Sequence, residues 1–221
     1  MQLRAVAFDV DGTLYPNSLM YLASTPFFLS RVRLITNFRA VRHELRRVRP
    51  IDDFYATQSS MLAQRLGVSA EEAGTIIDRR IYRDWEQVLK VVPAFPGVRS
   101  LVTQLRNAGF RLGVLSDFPL GEKLHRLGLD GLWDVRVSSE TVGYLKPNPE
   151  PFQALLDELG TGAEETLYIG NNYAYDIEGA RALGMRTAHI RVKPLRSSKA
   201  DLSFFWYKRL ANWLIKSYNM A

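Results

Sequence analysis

Residues 3–14 read LRAVAFDVDGTL, and this stretch gives the strongest indication of the fold. Leu3 to Phe8 is mostly apolar, which is typical of a parallel strand that is buried on both faces. The run ends in a polar turn that contains Asp9, Asp11 and Gly12. Ligands bind beyond the carboxyl ends of the strands in an open parallel sheet, so we expect this turn to belong to a site.

Strand-like and helix-like segments alternate downstream of two prolines, Pro93 and Pro96. Such alternation predicts an α/β fold with a doubly wound, parallel, Rossmann-like sheet. The predicted strands are 110–115, 135–138, 166–169 and 187–192, and the predicted helices are 97–107, 123–127, 149–159 and 177–183.

An α-helical insertion is predicted between the first two strands. About 95 residues separate Leu14 from Phe110, whereas a single crossover helix needs only about a dozen. Within the insertion, Leu34, Phe38 and Val41 recur at helical spacing. We therefore predict a core domain at 1–15 and 93–192, a helical domain at 16–92 and a C-terminal extension at 193–221.

Polar side chains follow three of the predicted strands, and a lysine precedes a predicted helix. Besides the aspartates of the first turn, these residues are Ser116, Asp117, Lys146, Asn171 and Asp176. Carboxylates, a hydroxyl group and a fixed positive charge at one edge of a sheet suit phosphoryl transfer through a carboxylate nucleophile.

Four segments together resemble the motifs of the haloacid dehalogenase (HAD) superfamily, in the order that this family has them. They are DVDGT at 9–13, LSD at 115–117, GYLKPNP at 143–149 and GNNYAYD at 170–176. The helical insertion resembles the C1 cap of this family, a domain that closes over the site and selects the substrate. The resemblance implies a HAD-type phosphoric monoester hydrolase that acts on a small phosphorylated substrate.

The resemblance also implies a role for each motif residue. Asp9 is expected to be the nucleophile, and Asp11 the general acid and base. The cofactor is expected to be Mg²⁺, which prefers oxygen ligands. The expected substrate- and phosphate-binding residues are Gly12, Thr13, Ser116, Asp117 and Lys146, and the expected metal ligands are Asp9, Asp11, Asn171 and Asp176.

One position departs from the pattern, because the family usually has aspartate where this chain has Asn171. An amide oxygen can still bind a hard cation, but it brings no charge, so we expect weaker metal binding.

Three alternative functions stay open: a phosphomutase with the same motifs, a phosphate-binding or membrane-associated protein with weakened catalysis, and a haloacid dehalogenase. The last is less favoured, because dehalogenation does not need the second carboxylate, Asp11.

Composition narrows the remaining function classes. The absence of cysteine excludes disulfides and thiol catalysis, and with no leader-like segment at the start we expect a cytoplasmic protein. The net charge of +6 is compatible with an anionic substrate, nucleic acid or membrane.

One predicted cap helix carries a stripe of four arginines, which is interpreted as a solvated face or as a binding strip for an anionic substrate tail: Arg39, Arg42, Arg46 and Arg49. Nucleic acid is less favoured, because no aromatic residues are interleaved with these arginines.

The C-terminal extension is basic and aromatic and matches none of the motifs. Trp206, Tyr207, Leu210, Trp213 and Leu214 fall near one helical face. This pattern predicts a helix that docks on its own domain or forms a homodimer contact. A peripheral contact with an anionic membrane is the alternative.

Overall fold

A computed structural model describes residues 2–191 and 198–218. At its centre lies a six-stranded sheet whose neighbouring strands pair in parallel, in the order β3-β2-β1-β4-β5-β6. The strands are β1 Ala5–Phe8, β2 Arg111–Ser116, β3 Val135–Ser138, β4 Thr166–Gly170, β5 Arg186–Ile190 and β6 Leu202–Phe204. The predicted α/β fold with a doubly wound parallel sheet is confirmed.

Helices surround this sheet and fill the insertion after β1. The α-helices are α1 Asn17–Ala23, α2 Thr25–Ser30, α3 Val32–Leu45, α4 Phe54–Leu66, α5 Ala70–Ile76, α6 Asp84–Glu86, α7 Val98–Asn107, α8 Lys123–Arg126, α9 Ser139–Val142, α10 Pro149–Leu159, α11 Glu178–Ala182 and α12 Tyr207–Tyr218. Shorter 3₁₀ turns occupy Gln87–Lys90 and Ala163–Glu165, and π-helical segments occupy Ile77–Arg83 and Tyr173–Ile177.

Strand β1 is buried on both faces, as its apolar sequence predicts. Val6 and Phe8 pack in one hydrophobic cluster, together with residues of α7 and α12. Ala5 and Ala7 point to the opposite face and pack in a second cluster with residues of α10. Side chains alternate along a strand, so one short run of four residues joins the two layers of the core.

The strand order places the site at the middle of the sheet. The chain runs from β1 outward through β2 and β3 and then returns to β4 on the other side of β1. The carboxyl ends of β1 and β4 therefore flank the point where the order reverses, which is where open α/β sheets bind ligands. Asp9 follows β1 there, and its main-chain N–H donates to the carbonyl oxygen of Ile169 at 2.8 Å.

The insertion is helical and has a hydrophobic core of its own. Phe38, Val41 and Leu45 of α3 pack against Leu62 of α4, among other cap residues. Leu145, which lies outside the insertion, joins the same cluster and is fully buried in it. The inserted helices thus form a cap that rests on the sheet domain.

Two predicted elements require correction. The segment at 187–192 is not the last strand: β5 ends at Ile190, and β6 follows it, while Val192 lies outside the described residues. Strand β6 has only three residues, and its pairing with β5 stabilises it rather than its own sequence pattern. The helix predicted at 177–183 is an α-helix only at Glu178–Ala182, because the preceding Tyr173–Ile177 is π-helical.

The C-terminal extension docks on the sheet domain through α12. Tyr207, Leu210 and Leu214 are buried in the main cluster, whereas Trp206 is 71% exposed and does not belong to the apolar face predicted for it. This packing favours docking on the chain's own core over the dimer and membrane alternatives. Residues 193–197 of the predicted extension lie outside the described part of the chain. In that part, every helix is too short or too polar to cross a bilayer.

Candidate active site

The turn after β1 holds the carboxylate of Asp9 in a fixed position. Gly12 has φ of 94°, a left-handed conformation that favours glycine and lets the chain turn back beneath the cap. Thr13 is fully buried and donates its hydroxyl hydrogen to Asp9 Oδ2 at 2.7 Å. These contacts orient one oxygen of the carboxylate before any ligand is bound.

Lys146 joins two carboxylates beneath the carboxyl end of the sheet. Its Nζ lies 2.7 Å from Asp9 Oδ1 and 2.6 Å from Asp176 Oδ1, and all three side chains are buried. Burial lowers the pKa of Lys146, but the charges of Asp176 and Asp9 outweigh it and raise the pKa well above its usual value. Burial and the negative charge of Asp176 raise the pKa of Asp9 to about 7, although Lys146 opposes the rise.

The turn after β4 is organised around Asp176. Its Oδ2 accepts hydrogen bonds from the main-chain N–H groups of Asn171 and Asn172, at 3.1 and 2.9 Å. A Cβ built on Gly170 would lie 2.3 Å from the Cβ of Asp176, so glycine is required for this close approach. Both oxygens of Asp176 are therefore engaged within the protein.

Asp11 lies in a separate set of contacts two residues beyond Asp9. Its carboxylate accepts hydrogen bonds from Tyr15 Oη at 2.5 Å, from Ser116 Oγ at 3.0 Å and from Lys123 Nζ at 2.9 and 3.0 Å. Burial opposes the effect, but Lys123 and these hydrogen bonds hold the pKa of Asp11 below its ordinary value. Ser116, which is expected to bind phosphate, donates its hydroxyl hydrogen to Asp11.

Sequence reasoning missed Lys123 and Tyr15. Lys123 lies on α8, a helix of four residues that carries none of the recognised motifs. Tyr15 follows the first motif, but nothing in its sequence context shows that its hydroxyl group points back to Asp11. Only the fold of the chain between β2 and β3, where α8 lies, brings the lysine to this carboxylate.

Two arginines of the cap stripe, Arg42 and Arg46, do not form a solvated face, which corrects the first interpretation for them, whereas Arg39 and Arg49 are exposed. Arg42 forms an ion pair with Glu140 and also donates to the carbonyl oxygen of Asp117, and its side chain is only 6% exposed. Arg46 donates to the carbonyl oxygen of Lys146 at 2.7 Å and pairs with Asp117 Oδ2 at 2.5 Å. These residues join α3 of the cap to the loops of the sheet domain.

Asp117, expected to contact the substrate, takes part in this junction. Its Oδ1 accepts from the main-chain N–H of Lys146 at 3.0 Å, while its Oδ2 faces Arg46. Arg49, the last arginine of the stripe, pairs with Glu150 at the edge of the same contact. Glu140 also accepts hydrogen bonds from the hydroxyl group of Tyr82 at 2.9 and 3.0 Å.

A cavity of about 350 Å³ lies between the cap and the carboxyl end of the sheet. Asp9, Asp11, Lys146 and Asp176 contribute to its lining on the side of the sheet domain, together with Asn171. The cap contributes apolar and cationic side chains, among them Met20, Phe28, Ile35, Phe38, Arg39, Arg42, His43 and Arg46. The volume suits a small molecule, and the polar groups that converge on one end of the cavity suit a charged one.

The side chain of Asn171 lies against the loop of the first motif. A Cβ built on Gly12 would come 2.2 Å from the Nδ2 atoms of both Asn17 and Asn171. The same Nδ2 of Asn17 lies 3.4 Å from the main-chain carbonyl oxygen of Asp11. Across residues 2–191 and 198–218, no three His, Cys, Asp or Glu side chains gather in a group that would hold a metal.

Two further side chains support the motif loops from behind. His189 is buried, and its Nε2 lies 3.1 Å from the carbonyl oxygen of Asn171. The hydroxyl group of Tyr207 on α12 donates to the carbonyl oxygen of Thr13 at 2.6 Å. Neither residue stands out in the sequence as part of a site, because both contacts depend on elements that are distant along the chain.

Comparison with known proteins identifies relatives for almost the whole sheet domain and cap. The family model of the haloacid dehalogenase-like hydrolases matches residues 3–184. A glyceraldehyde 3-phosphate phosphatase of Methanopyrus kandleri is 31% identical over 204 residues, which cover 86% of this chain and 84% of that protein. The pyrophosphatase PpaX of Bacillus mycoides is 28% identical over 199 residues, with 86% and 84% coverage.

Solved structures show the same fold. A HAD phosphatase from Thermococcus onnurineus has a TM-score of 0.62 at 22% identity and covers 97% of this chain and 98% of its own. A 2-haloacid dehalogenase from Pseudomonas syringae has a TM-score of 0.69 at 23% identity, with 97% and 99% coverage. At this identity the likeness concerns the fold alone, which phosphatases and dehalogenases share.

Proposed function

This chain belongs to the haloacid dehalogenase-like hydrolase family, and we propose that it is a phosphatase that hydrolyses a small phosphomonoester through an aspartyl-phosphate intermediate on Asp9. The names of its curated relatives support a phosphatase over other activities of the fold. We also propose the domain limits 1–15 and 93–192 for the core, 16–92 for the cap and 193–221 for the extension.

The observation that carries this proposal is the environment of Asp9. Its carboxylate is oriented by Thr13, is in contact with the ammonium group of Lys146 and lines a cavity of about 350 Å³. A carboxylate with a neighbouring fixed cation can approach an anionic phosphoryl group without full charge repulsion. Lys146 is thus proposed to hold Asp9 in place and to offset the charge of the phosphate.

The chemistry proceeds in two steps. In the first, a carboxylate oxygen of Asp9 forms a bond to phosphorus while the bond from phosphorus to the ester oxygen breaks, and the departing oxygen takes a proton from Asp11, which must enter this step in its protonated form. In the second, water attacks the phosphorus of the aspartyl phosphate, Asp11 accepts the proton of that water, and Asp9 is released. Asp11 lies two residues from Asp9 and lines the same cavity, as these roles require.

The residues around Asp9 suit Mg²⁺, and we propose it as the cofactor. The carboxylate of Asp9, the main-chain carbonyl of Asp11 and the side-chain amide of Asn171 offer the hard oxygen atoms that this ion prefers. The packing of Asn171 against Gly12 places its amide beside the Asp11 loop. When bound, the ion supplies positive charge to the transferring phosphoryl group. An amide replaces a carboxylate in this set, so we expect weaker binding than in relatives with aspartate.

The retained Asp11 favours hydrolysis of a phosphate ester over dehalogenation, which does not need a second carboxylate. A phosphomutase would use the same residues, and its product distinguishes it: phosphate is transferred to a second hydroxyl group rather than released. The charge of Asp9 and the proton-transfer role of Asp11 are common to both reactions.

A turnover assay tests the proposal. Purified protein with millimolar Mg²⁺ is incubated with a panel of phosphorylated metabolites, and released inorganic phosphate is measured alongside a product analysis. We expect hydrolysis by the wild type and a loss of about 10³-fold or more in the Asp9→Asn variant. Absence of hydrolysis across the panel, or full activity of Asp9→Asn, contradicts the proposal.

A further inference from the structure

Two arginines of α3 and the arginine at its C-terminal cap line the cavity, and they differ in what they contact. Arg42 is paired with Glu140, and its guanidinium group also lies over the ring of Phe118, 4.3 Å from the ring centroid. Arg46 is paired with Asp117. Both guanidinium groups therefore already bind carboxylates of the sheet domain and hold the cap against it.

Arg39 is the exception. It is exposed and lines the cavity, and it has no ion pair or hydrogen bond with any residue in the ranges 2–191 and 198–218. His43 lies one helical turn further along α3, is also exposed and lines the same cavity. An arginine without a partner at a cavity wall offers a planar set of donors that matches the oxygens of a carboxylate or a phosphate.

We propose that Arg39 binds a second anionic group of the substrate, at the end of the molecule opposite the phosphate that Asp9 attacks. This inference rests on the proposed phosphatase function. It restricts the substrate to small phosphate monoesters whose organic body also carries a carboxylate or a second phosphate. Of the four arginines in the stripe, we therefore assign only Arg39 to binding of the substrate tail.

The geometry of α3 supports the separation of the two anionic groups. Arg46 reaches the carbonyl oxygen of Lys146, next to the side chain that contacts Asp9. Arg39 lies seven residues earlier on the same helix, which corresponds to roughly 10 Å at a rise of 1.5 Å per residue. We therefore assign Arg39 to the tail of the substrate rather than to its phosphate end.

The charge of Arg39 differs from the other charges around the cavity, because it has no carboxylate partner among the described residues. Asp9 and Asp176 share the single charge of Lys146, Asp11 is paired with Lys123, which lies outside the lining of this cavity, and Asp117 is paired with Arg46. The guanidinium group of Arg39 is therefore available to an anionic group of a ligand. Apolar side chains, among them Phe28, Ile35 and Phe38, line the cap side of the cavity and suit an organic body between the two anions.

Matched substrates test the inference. 3-Phosphoglycerate and glycerol 3-phosphate share a carbon skeleton but end in a carboxylate and a hydroxymethyl group. 1,3-Propanediol bisphosphate and 3-hydroxypropyl phosphate form the corresponding pair for a second phosphate. For each pair, the ratio of kcat/KM for the anionic-tailed ester to kcat/KM for the neutral-tailed ester is measured in wild type, Arg39→Met and Arg47→Met. Arg47 is an exposed cap arginine that does not line the cavity.

We expect the ratio to exceed about tenfold in the wild type for at least one pair and to fall by about tenfold or more in Arg39→Met, as loss of a charged contact to an anion would cause. The pair that responds identifies the tail as carboxylate or phosphate. In Arg47→Met we expect the ratio to stay within about twofold of wild type, because an exposed charge at a distance is screened. An unchanged ratio in Arg39→Met, or an equal fall in Arg47→Met, overturns the inference.

Calorimetric binding to the Asp9→Asn variant separates this inference from the proposed function, because it needs no turnover. Asp9→Asn is expected to bind the anionic-tailed member of a pair more tightly, and Asp9→Asn/Arg39→Met to lose that preference. If the wild type hydrolyses both esters without preference, and binding shows none, the anion site is wrong while the phosphatase stands. If no ester is hydrolysed but the binding preference depends on Arg39, the phosphatase is wrong while the anion site stands. Absence of binding by either ester overturns the anion site.

Discussion

The ammonium group of Lys123 lies 2.9 and 3.0 Å from the two carboxylate oxygens of Asp11. Asp11 is the proposed proton carrier, so Lys123 acts on it as a positioning residue. We predict that Lys123→Met lowers kcat by about tenfold to 100-fold with a smaller change in KM, because Asp11 loses its main oriented partner. Lys123→Arg, which keeps the charge, should retain more activity.

Steady-state kinetics of the two Lys123 variants over a pH range checks this prediction. Lys123 and the hydrogen bonds of Tyr15 and Ser116 lower the pKa of Asp11, so removal of the lysine should move the pH profile upward. If Lys123 had only a structural role, kcat would fall equally in both variants, and the pH dependence of activity would not shift.

The C-terminal helix contributes to the site through Tyr207. Its hydroxyl group donates to the carbonyl oxygen of Thr13, and Thr13 in turn donates to Asp9. We predict that Tyr207→Phe costs about 1 kcal/mol of unfolding free energy, because the carbonyl of a fully buried residue loses its partner. Activity should fall several-fold through kcat. Urea unfolding and kinetics measure the two effects, and Tyr218→Phe on the same helix is the control. Equal effects of both substitutions would contradict a specific link to Thr13.

Asn171 is the uncharged member of the proposed Mg²⁺ ligand set. We predict that Asn171→Asp keeps turnover and lowers the Mg²⁺ concentration for half-maximal activity by about tenfold, since a carboxylate replaces a neutral ligand. Asn172→Asp introduces the same charge one residue further on, where the side chain accepts a hydrogen bond from the N–H of Tyr175. Mg²⁺ titration of activity compares the two variants. If Asn172→Asp lowers the Mg²⁺ concentration for half-maximal activity and Asn171→Asp does not, our assignment is contradicted.

The buried pair of Arg42 and Glu140 holds the cap on the sheet domain. We predict that Arg42→Met destabilises the protein by about 3–5 kcal/mol, because Glu140 remains buried without its cation. The double variant Arg42→Met/Glu140→Met should be closer to wild type than Arg42→Met. Arg49→Met, which breaks the more exposed pair with Glu150, should cost at most about 1 kcal/mol. Denaturant unfolding of the three variants measures their unfolding free energies. A double variant as unstable as Arg42→Met would contradict the prediction that the unpaired charge of Glu140 causes the loss.

We expect the stability of the folded protein to fall at acidic pH because of the buried side chain of His189. Burial lowers the pKa of this histidine below its ordinary value of 6.5, so the folded protein keeps it neutral. Unfolded chains take up the proton first as the pH falls, and the folded state therefore loses stability below about pH 6.5. His189→Gln, which retains an N–H group for the Asn171 carbonyl, should lose less stability than wild type between about pH 8 and pH 5.5. Thermal unfolding at both pH values provides the comparison, and parallel losses would exclude His189 as the cause.

Sequence patterns located the main elements because their information is local. An apolar run followed by a polar turn identifies β1 and Asp9, and long helices such as Pro149–Leu159 have clear ends, here Asn148 and Gly160. Strand β6 escaped prediction because three residues carry too little pattern, and its pairing with β5 supplies the rest. The segment that contains Asp176 is π-helical, a variation that hydrophobic periodicity does not reveal.

The motifs, their order and the family can be recognised from the amino-acid sequence alone, because they depend on residue types at short spacing along one strand or turn. Which charges are already paired depends on the folded chain. Arg39, Arg42 and Arg46 share one stripe of the helical pattern, yet two of them meet carboxylates far along the chain and one does not. Ion pairs between distant segments depend on how the cap docks on the sheet, and helical spacing carries no information about that contact.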